Sequence, residues 1–281
     1  YMVNGRHQGK IVLKPPQGSE TIKAIDGRPL FGSGRDGQPR TVLLSGCFGG
    51  FGLRVLSYVV ALGAKNILML DRDPSRRRSA EWLCCHSNLD FLPAREVKDL
   101  RIEIVHADVG TFDDVVNAVS AVSRLGMPPL GSIFHLAGVL DDNFIGEMDA
   151  ESFAKVYGPK ANGAWNLHRA TLDCKEIEHF VMLSSTSSVF GNPGQTNYAA
   201  ANSFQDGLAA LRQQNGKPAI SFCMTAVAEA GMAARDPQVL QLMKSKGMPA
   251  ISAIFAIEAL DAVIRRGSHP HAVAALVTDI D

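Results

Sequence analysis

Short apolar segments alternate with longer amphipathic segments from Thr41 to the end of the chain. The short segments are typical of strands buried on both faces, and the longer ones have the length and spacing of helices. The pattern predicts strands at 41–45, 66–70, 102–106, 132–136, 180–183 and 219–224, and helices at 50–62, 112–124, 153–172 and 198–214. Because strands that alternate with helices pair in parallel, the sequence predicts an α/β fold with a doubly wound parallel sheet.

The first 40 residues have a different character. An alternating stretch at 9–13 is followed by two prolines and by a Gly-rich polar segment at 31–39. These features predict one strand and then a linker. We therefore place a domain boundary after residue 40, with residues 41–281 as the main domain.

Composition and charge exclude several classes of protein. The 281 residues carry 28 Lys and Arg and 28 Asp and Glu, so no positive excess is available to bind a nucleic acid. No apolar run approaches the roughly 20 residues that span a bilayer, so no membrane contact is expected. The five cysteines are an odd number without C-x-x-C spacing, which favours the reducing cytoplasm. The sequence contains no H-E-x-x-H motif, and no metal is expected.

A glycine-rich turn follows the first predicted strand directly. Gly46, Gly50 and Gly52 give the pattern G-x-x-x-G-x-G, and a helix begins within it. Such glycines allow a tight turn and close approach of a pyrophosphate to free N–H groups at a helix N-terminus. The turn therefore favours dinucleotide binding, although a simple strand-to-helix joint has the same composition. The residues expected to line it are Gly46, Phe48, Gly49, Gly50, Phe51 and Gly52.

The ends of the second and third strands carry charged residues that could meet an adenosine moiety. Asp71 would bond the ribose hydroxyls of NAD, whereas Arg72 would pair with the 2′-phosphate of NADP. A solvated ion pair is the alternative for both. Asp108 is placed to meet the adenine, and helix capping explains it equally well.

A serine and a tyrosine can converge on one substrate oxygen. Ser185 ends the fifth strand, and Tyr198 begins a helix 13 residues later. The tyrosine could give a proton while the serine holds the developing oxyanion. Because an unperturbed tyrosine titrates near pH ~10, a cation must lie nearby. A lysine one helical turn after the tyrosine would supply this charge, but that position is Asn202. Lys160, in the helix before the fifth strand, is therefore the candidate cation. Considered alone, each residue could instead be an ordinary surface lysine or core tyrosine.

The chain resembles the ketoreductase domain of modular and highly reducing polyketide synthases, and its relative in animal fatty acid synthase, which are members of the short-chain dehydrogenase superfamily. The resemblance runs from about residue 41 to the C-terminus and rests on segments 45–52, 135–142, 159–168, 191–202 and 229–233. It implies a catalytic set of Lys160, Ser185, Tyr198 and Asn202. It adds Val109, Ala137 and Gly138 to the cofactor-binding residues. The substrate-orienting residues that it implies are Leu140, Asp141, Asp142, Phe190, Gly231 and Met232.

The resemblance also implies an activity, a cofactor and partners. The reaction would be NADPH-dependent reduction of a β-ketoacyl thioester on the phosphopantetheine arm of an acyl carrier protein, with NADH as the open alternative. The neighbouring domains would include a structural ketoreductase half and an enoylreductase domain. Residues 1–13 resemble the terminal strand of such an enoylreductase domain. The segment 140–142 reads Leu-Asp-Asp, and Phe190 stands where the A type has tryptophan. Both features imply the B type, which makes a D-hydroxy product.

Two departures from the family pattern and two rival functions complete the expectations. Family members usually carry Ser-Arg where this chain has Asp71 and Arg72. They often have a tryptophan-containing segment where this chain has Cys-Met-Thr-Ala-Val at 223–227. The residues 231–249 would be a mobile lid, or else a plain amphipathic surface helix. The rival functions are a catalytically silent structural or nucleotide-sensing domain of the same fold and a free-standing dehydrogenase of small alcohols.

Overall fold

The structure, a computed structural model, describes residues 30–73, 99–228 and 250–265, together with Gln241 and the backbone of residues 273–275. The strands in these residues are β1 Thr41–Ser45, β2 Asn66–Asp71, β3 Arg101–His106, β4 Leu130–His135, β5 His179–Ser185, β6 Ile220–Met224 and β7 Val273–Ala275. The helices are α1 Gly50–Ala61, α2 Phe112–Arg124, α3 Ala150–Tyr157, α4 Gly163–Ala170, α5 Ser187–Phe190, α6 Thr196–Gln214 and α7 Ala253–Arg265. A π-helical turn, Gly158–Asn162, joins α3 to α4.

The strands form one parallel sheet in the order β3-β2-β1-β4-β5-β6-β7. The chain moves outward from β1 through β2 to β3 and then returns to place β4 on the other side of β1. Ligands of such sheets bind outside the carboxyl ends of the strands at this reversal. The expected Rossmann-type α/β fold is confirmed, and the crevice between β1 and β4 is where a site is expected.

Alternate residues of each strand point to opposite faces of the sheet, and each face has its own apolar core. Leu44 and Met69 pack beneath α1 and α7, whereas Leu43 and Leu68 pack beneath α2, α4 and α6. Because both faces are covered, all residues of β1 and β4 are buried, and apolar residues are adjacent along the strands, as at residues 42–44 and 133–134. The sequence pattern that predicted the sheet is a direct result of this burial.

The predicted helix over 153–172 is interrupted in the structure. It begins earlier, at Ala150, and is broken by the π-helical turn before α4 ends at Ala170. Pro159 lies in that turn and lacks the N–H that a continuous α-helix would use. Lys160 lies within this turn. Three elements that the sequence did not predict also appear, namely α5, α7 and β7.

Residues 30–40, the end of the predicted linker, pack against the domain. Phe31 is only 2% exposed and makes edge-on ring contacts with Tyr58, Phe134 and His179 at 5.4–5.7 Å. Arg40 pairs with Asp36 at 2.6 Å and closes the turn. This Gly-rich stretch is therefore a folded turn at the amino ends of the strands. The predicted strand at 9–13 lies outside the described residues. Its assignment to an enoylreductase domain and the domain boundary after residue 40 remain predictions.

None of the described helices is long and apolar enough to cross a membrane.

Candidate active site

The glycine turn lies at the carboxyl end of β1 and leads into α1. Gly46 has a φ of +71°, and a Cβ there would overlap the backbone of Ala137. A Cβ on Gly52 would lie 2.6 Å from Cys47 Cα and Cys47 O. Gly49 is the N-cap of α1 and makes no side-chain cap, and the first turn of the helix holds no acidic residue. Only glycine fits these close approaches, and the helix N-terminus is suited to bind a pyrophosphate.

Other predicted residues of this region contribute in different ways. Gly50 is exposed at the start of α1, and Phe48 is half-buried. Phe51 is 4% exposed and its ring belongs to the apolar core, so only its backbone could meet a ligand. Ala137 and Gly138 follow β4, where Gly138 packs against the stem of Lys160. These residues bring the glycine turn and the lysine to the same crevice.

The residues predicted to meet an adenosine lie at the ends of β2 and β3. Asp71 ends β2 and accepts a hydrogen bond from the N–H of Asp73 at 2.7 Å, while Arg72 is exposed. Asp108 Oδ1 accepts from the N–H of Gly110 at 2.8 Å and so closes the turn that precedes α2. Val109 is buried, and its carbonyl accepts from Asn166 Nδ2 at 2.9 Å. The geometry gives Asp108 a local structural role and leaves Arg72 available to an external phosphate.

Four polar residues converge at the carboxyl edges of β4 and β5. Ser185 ends β5, Tyr198 lies in the first turn of α6, and Asn202 follows one helical turn later. Lys160 reaches in from the π-helical turn and is 3% exposed. Its Nζ donates to Leu183 O at 2.7 Å and lies 5.2 Å from the centroid of the Tyr198 ring. The structure thus brings the predicted catalytic residues together beside the glycine turn.

Burial and neighbouring charges shift the pKa values of this group in opposite directions. Burial lowers the pKa of Lys160 to about 7, and the negative charge of Asp206 acts to raise it. Burial raises the pKa of Tyr198, whereas hydrogen bonding with the side chains of Asn202 and Ser185 lowers it. A lysine that titrates near neutrality beside a half-buried tyrosine is the arrangement expected for proton transfer near pH 7.

Asn202 has one satisfied and one unsatisfied polar atom. Its Nδ2 donates to Tyr198 O at 2.7 Å. Its Oδ1 is buried and has no hydrogen-bond partner among the described residues. Since buried polar atoms are normally paired, this oxygen is suited to accept from a water or an ammonium group.

Sequence reasoning missed Asp206, which lies one turn after Asn202 on α6. Its Oδ1 accepts a hydrogen bond from Ser221 Oγ and another from Cys223 Sγ at 3.4 Å. These bonds hold the carboxylate over β6, where its charge favours the protonated form of Lys160. The only signal in the sequence is an acidic residue four positions after Asn202, and that spacing alone does not indicate a role.

The predicted substrate-orienting loop after β4 is held against the loop that precedes Tyr198. Asp142 Oδ2 accepts from Gln195 Nε2 at 2.8 Å, and Asp141 O accepts from Asn197 Nδ2 at 2.8 Å. Burial is the main cause that raises the pKa of Asp142. Asp141 also pairs with Lys155 at 3.2 Å. The loop that carries Leu140, Asp141 and Asp142 therefore has a fixed position beside the tyrosine.

Of the remaining residues predicted to orient the substrate, the structure describes Phe190 and does not describe Gly231 or Met232. Phe190 ends the short helix α5 and is 47% exposed near this loop. Gly231 and Met232, the predicted lid over 231–249 and the motif at 229–233 lie outside the described residues, apart from the single residue Gln241. In the part of the chain that the structure describes, no group of three or more His, Cys, Asp or Glu could hold a metal ion.

Comparison with known proteins identifies the family. The KR domain family matches residues 40–229. The chain is 34% identical to the highly reducing polyketide synthase cm3B of Cordyceps militaris, over 88% of this chain and 9% of that protein. It is 34% identical to the mellein synthase of Phaeosphaeria nodorum, over 74% of this chain and 12% of that protein. The chain therefore spans about a tenth of the length of these relatives.

Solved structures give the same result. A structure described as A-type ketoreductases from a modular polyketide synthase superposes with a TM-score of 0.76 and 28% identity, over 91% of this chain and 49% of that chain. The first ketoreductase of the tylosin polyketide synthase superposes with a TM-score of 0.67 and 31% identity, over 81% and 47% of the two chains. The chain belongs to the ketoreductase (KR) domain family of polyketide synthases, with a short-chain dehydrogenase fold. Domains of this family are oxidoreductases that use nicotinamide cofactors.

Proposed function

We propose that this domain reduces a β-ketoacyl thioester, carried by an acyl carrier protein, to the β-hydroxyacyl thioester with NADPH. The observation that carries the proposal is the convergence of Lys160, Ser185, Tyr198 and Asn202 beside the glycine turn. A silent structural domain would have no need to bury a lysine, whose desolvation is costly. Its relatives are much longer synthases, which supports neighbouring synthase domains, including an enoylreductase and a structural half, as partners.

The residues present fit a dinucleotide. A Cβ at Gly46 or Gly52 would collide with the backbone of Ala137 or Cys47, so the glycines keep the turn tight, and the N-terminus of α1 would hold the pyrophosphate. When bound, the cofactor supplies a hydride to the β-carbon of the substrate. Lys160 would lie against the nicotinamide ribose, because Gly138 and Leu183 hold its stem and Nζ at the same edge of the sheet.

The side chains divide the proton chemistry among them. Tyr198 gives its phenolic proton to the carbonyl oxygen, which becomes the hydroxyl of the product, and Ser185 donates a hydrogen bond to that oxygen. The ammonium of Lys160 stabilises the tyrosinate that remains. Asn202 Oδ1 accepts from a water that returns the proton to Tyr198. One hydride and one proton are thus added to one C=O bond.

The test follows NADPH oxidation by the purified chain with a β-ketoacyl N-acetylcysteamine thioester. We expect turnover with NADPH, and a small alcohol in the reverse direction should be a much poorer substrate. Absence of thioester-dependent oxidation would favour the silent domain, and preference for the small alcohol would favour the free-standing dehydrogenase.

Stereochemistry provides a sharper prediction. The Leu140–Asp142 loop, fixed by Gln195 and Asn197, would guide the pantetheine arm from one side, and Phe190 replaces the tryptophan of the A type. We expect a predominantly D-hydroxy product, and a 100-fold preference requires only about 2.7 kcal/mol between the two transition states. Chiral chromatography of the reduced thioester measures the ratio. A predominantly L-hydroxy product would overturn the B-type assignment and leave the reductase activity standing.

Cofactor choice should depend on Arg72. Its exposed guanidinium is available to the 2′-phosphate of NADPH, a charge-assisted contact worth about 1.5–3 kcal/mol. Arg72→Ala should therefore raise the KM for NADPH about 10-fold or more and leave the KM for NADH unchanged. Lys65→Ala removes an exposed positive charge near the opposite end of the same strand and serves as the control. A wild-type preference for NADH would show that Asp71 determines the choice instead.

A further inference from the structure

A buried histidine that the proposed mechanism does not use joins two parts of the site. His135 is the last residue of β4, and Ser45 is the last residue of β1, immediately before the glycine turn. Both side chains are fully buried, and the two residues are neighbours in the register of the sheet. Ser45 Oγ lies 2.8 Å from His135 Nδ1, and His135 Nε2 lies 2.9 Å from Lys160 O. The ring therefore connects the glycine turn to the backbone of the catalytic lysine.

These contacts fix the tautomer of the ring. A carbonyl oxygen can only accept a hydrogen bond, so Nε2 carries the ring proton and donates a hydrogen bond to Lys160 O. Burial lowers the pKa of His135 to about 4, so the ring is neutral and Nδ1 has a free lone pair. That lone pair accepts a hydrogen bond from the hydroxyl of Ser45. Both ring nitrogens are thus paired in one arrangement only.

The lysine end of this connection lies in the π-helical turn. Lys160 O also accepts from Gln205 Nε2 at 3.3 Å, so two side chains hold this carbonyl. A Cβ on Gly163 would lie 2.9 Å from Cε1 of His135, and only glycine leaves the ring its space beside α4. Single π-helical turns are rare and often occur at functional sites. Here the turn directs the carbonyl of Lys160 to the histidine and its side chain to Tyr198.

We infer that His135, in its Nε2–H tautomer, is a positioning residue that fixes the backbone of Lys160 relative to the glycine turn, so that the dinucleotide seat and the ammonium group keep one geometry. This inference rests on the proposed function. The competing interpretation is a core histidine whose polar atoms are merely satisfied. The two differ because a positioning residue must affect turnover and cofactor affinity, whereas a core residue affects stability alone.

Two substitutions separate the hydrogen bond from the volume of the ring. His135→Phe keeps a ring of similar size and removes both hydrogen bonds, and we expect kcat to fall about 10-fold. The dissociation constant for NADPH should rise, while the KM for the thioester stays unchanged. His135→Gln keeps an amide N–H at about the position of Nε2, so it should restore kcat to within about threefold of wild type.

A matched control is present in the same sheet. His179 is a second largely buried histidine, with its pKa also lowered to about 4, and its ring packs on Phe31 at the opposite end of the strands. His179→Phe should leave kcat and NADPH affinity unchanged even if it lowers stability. Equal losses in His135→Phe and His135→Gln, or wild-type kcat in His135→Phe, would overturn the inference.

Two measurements remain informative if the His135 variants do not fold. Nitrogen chemical shifts of the labelled wild-type chain without cofactor should show a neutral Nε2–H ring at pH 7, and an Nδ1–H or charged ring would overturn the inference. Ser45→Ala removes the donor to Nδ1 and should weaken NADPH binding several-fold; unchanged binding contradicts the connection to the turn. Failure of the wild-type chain to reduce the thioester would overturn the proposed function alone, because NADPH affinity and the tautomer still decide this inference.

Discussion

Replacing Tyr198 by phenylalanine should reduce kcat about 100-fold or more, the scale expected for loss of a general acid. The substitution removes the phenolic proton and leaves the ring, which lies 5.2 Å from Lys160 Nζ. The buried site therefore keeps its packing, and NADPH should bind nearly as well as to the wild-type chain. Steady-state thioester reduction and NADPH binding, measured on the same preparation, separate the two effects.

Tyr157→Phe is the matched control for this experiment. Tyr157 is a half-buried tyrosine at the end of α3, where its ring stacks on Phe153 at 5.4 Å. The Tyr157→Phe substitution removes the same hydroxyl group from a tyrosine on the neighbouring helix, and kcat should not change. If Tyr198→Phe keeps kcat within a few-fold of wild type, Tyr198 is not the proton donor.

The fold could be predicted because burial determines the sequence pattern directly. The central strands are covered on both faces, so adjacent apolar residues distinguish them from the amphipathic helices. The glycine turn was equally visible, since Gly46 and Gly52 stand where a Cβ would collide with backbone. Strand burial and close backbone approaches can be predicted because each restricts the type of residue at its own position.

The break between α3 and α4 was predictable in principle and was not predicted. Pro159 lies within the segment 153–172, and a proline inside a helix removes one backbone donor. The consequence matters for the site, because the π-helical turn places Lys160 inside the crevice.

Other parts of the site depend on contacts between distant segments. Gln195 reaches Asp142 across 53 positions of sequence, and Ser45 reaches His135 across 90. Phe31 lies in a stretch with the composition of a linker, and only its packing shows that it belongs to the core. The glycines and polar residues around Phe31 predict a loop, and the sequence does not show which distant segment its ring packs against.

Lys160→Met should abolish most activity and stabilise the protein at the same time. Methionine keeps most of the length of the side chain and removes the charge that, in the proposed mechanism, stabilises the tyrosinate and binds the ribose, so kcat should fall about 100-fold or more and NADPH should bind more weakly. The pKa of Lys160 is about 7 in the folded chain, against 10.5 ordinarily. Between these values the unfolded chain binds more protons, so the stability contribution of this group rises with pH and is least favourable below pH 7. Removing the buried charge should therefore raise the free energy of unfolding at neutral pH.

The pH dependence of the wild-type enzyme tests the same assignment without a mutation of Tyr198. The value of kcat/KM for NADPH reports groups of the free enzyme, and it should decline as the pH rises through about 7, where Lys160 loses its proton. Lys160→Met should have a flat profile over that range, whereas Lys175→Met, at an exposed lysine away from the site, should keep both the wild-type rate and the decline. A decline that persists unchanged in Lys160→Met would show that another group titrates. The combination of lower activity with higher stability is specific to a buried charge retained for catalysis, because a lysine retained for packing would lose stability when its contacts change.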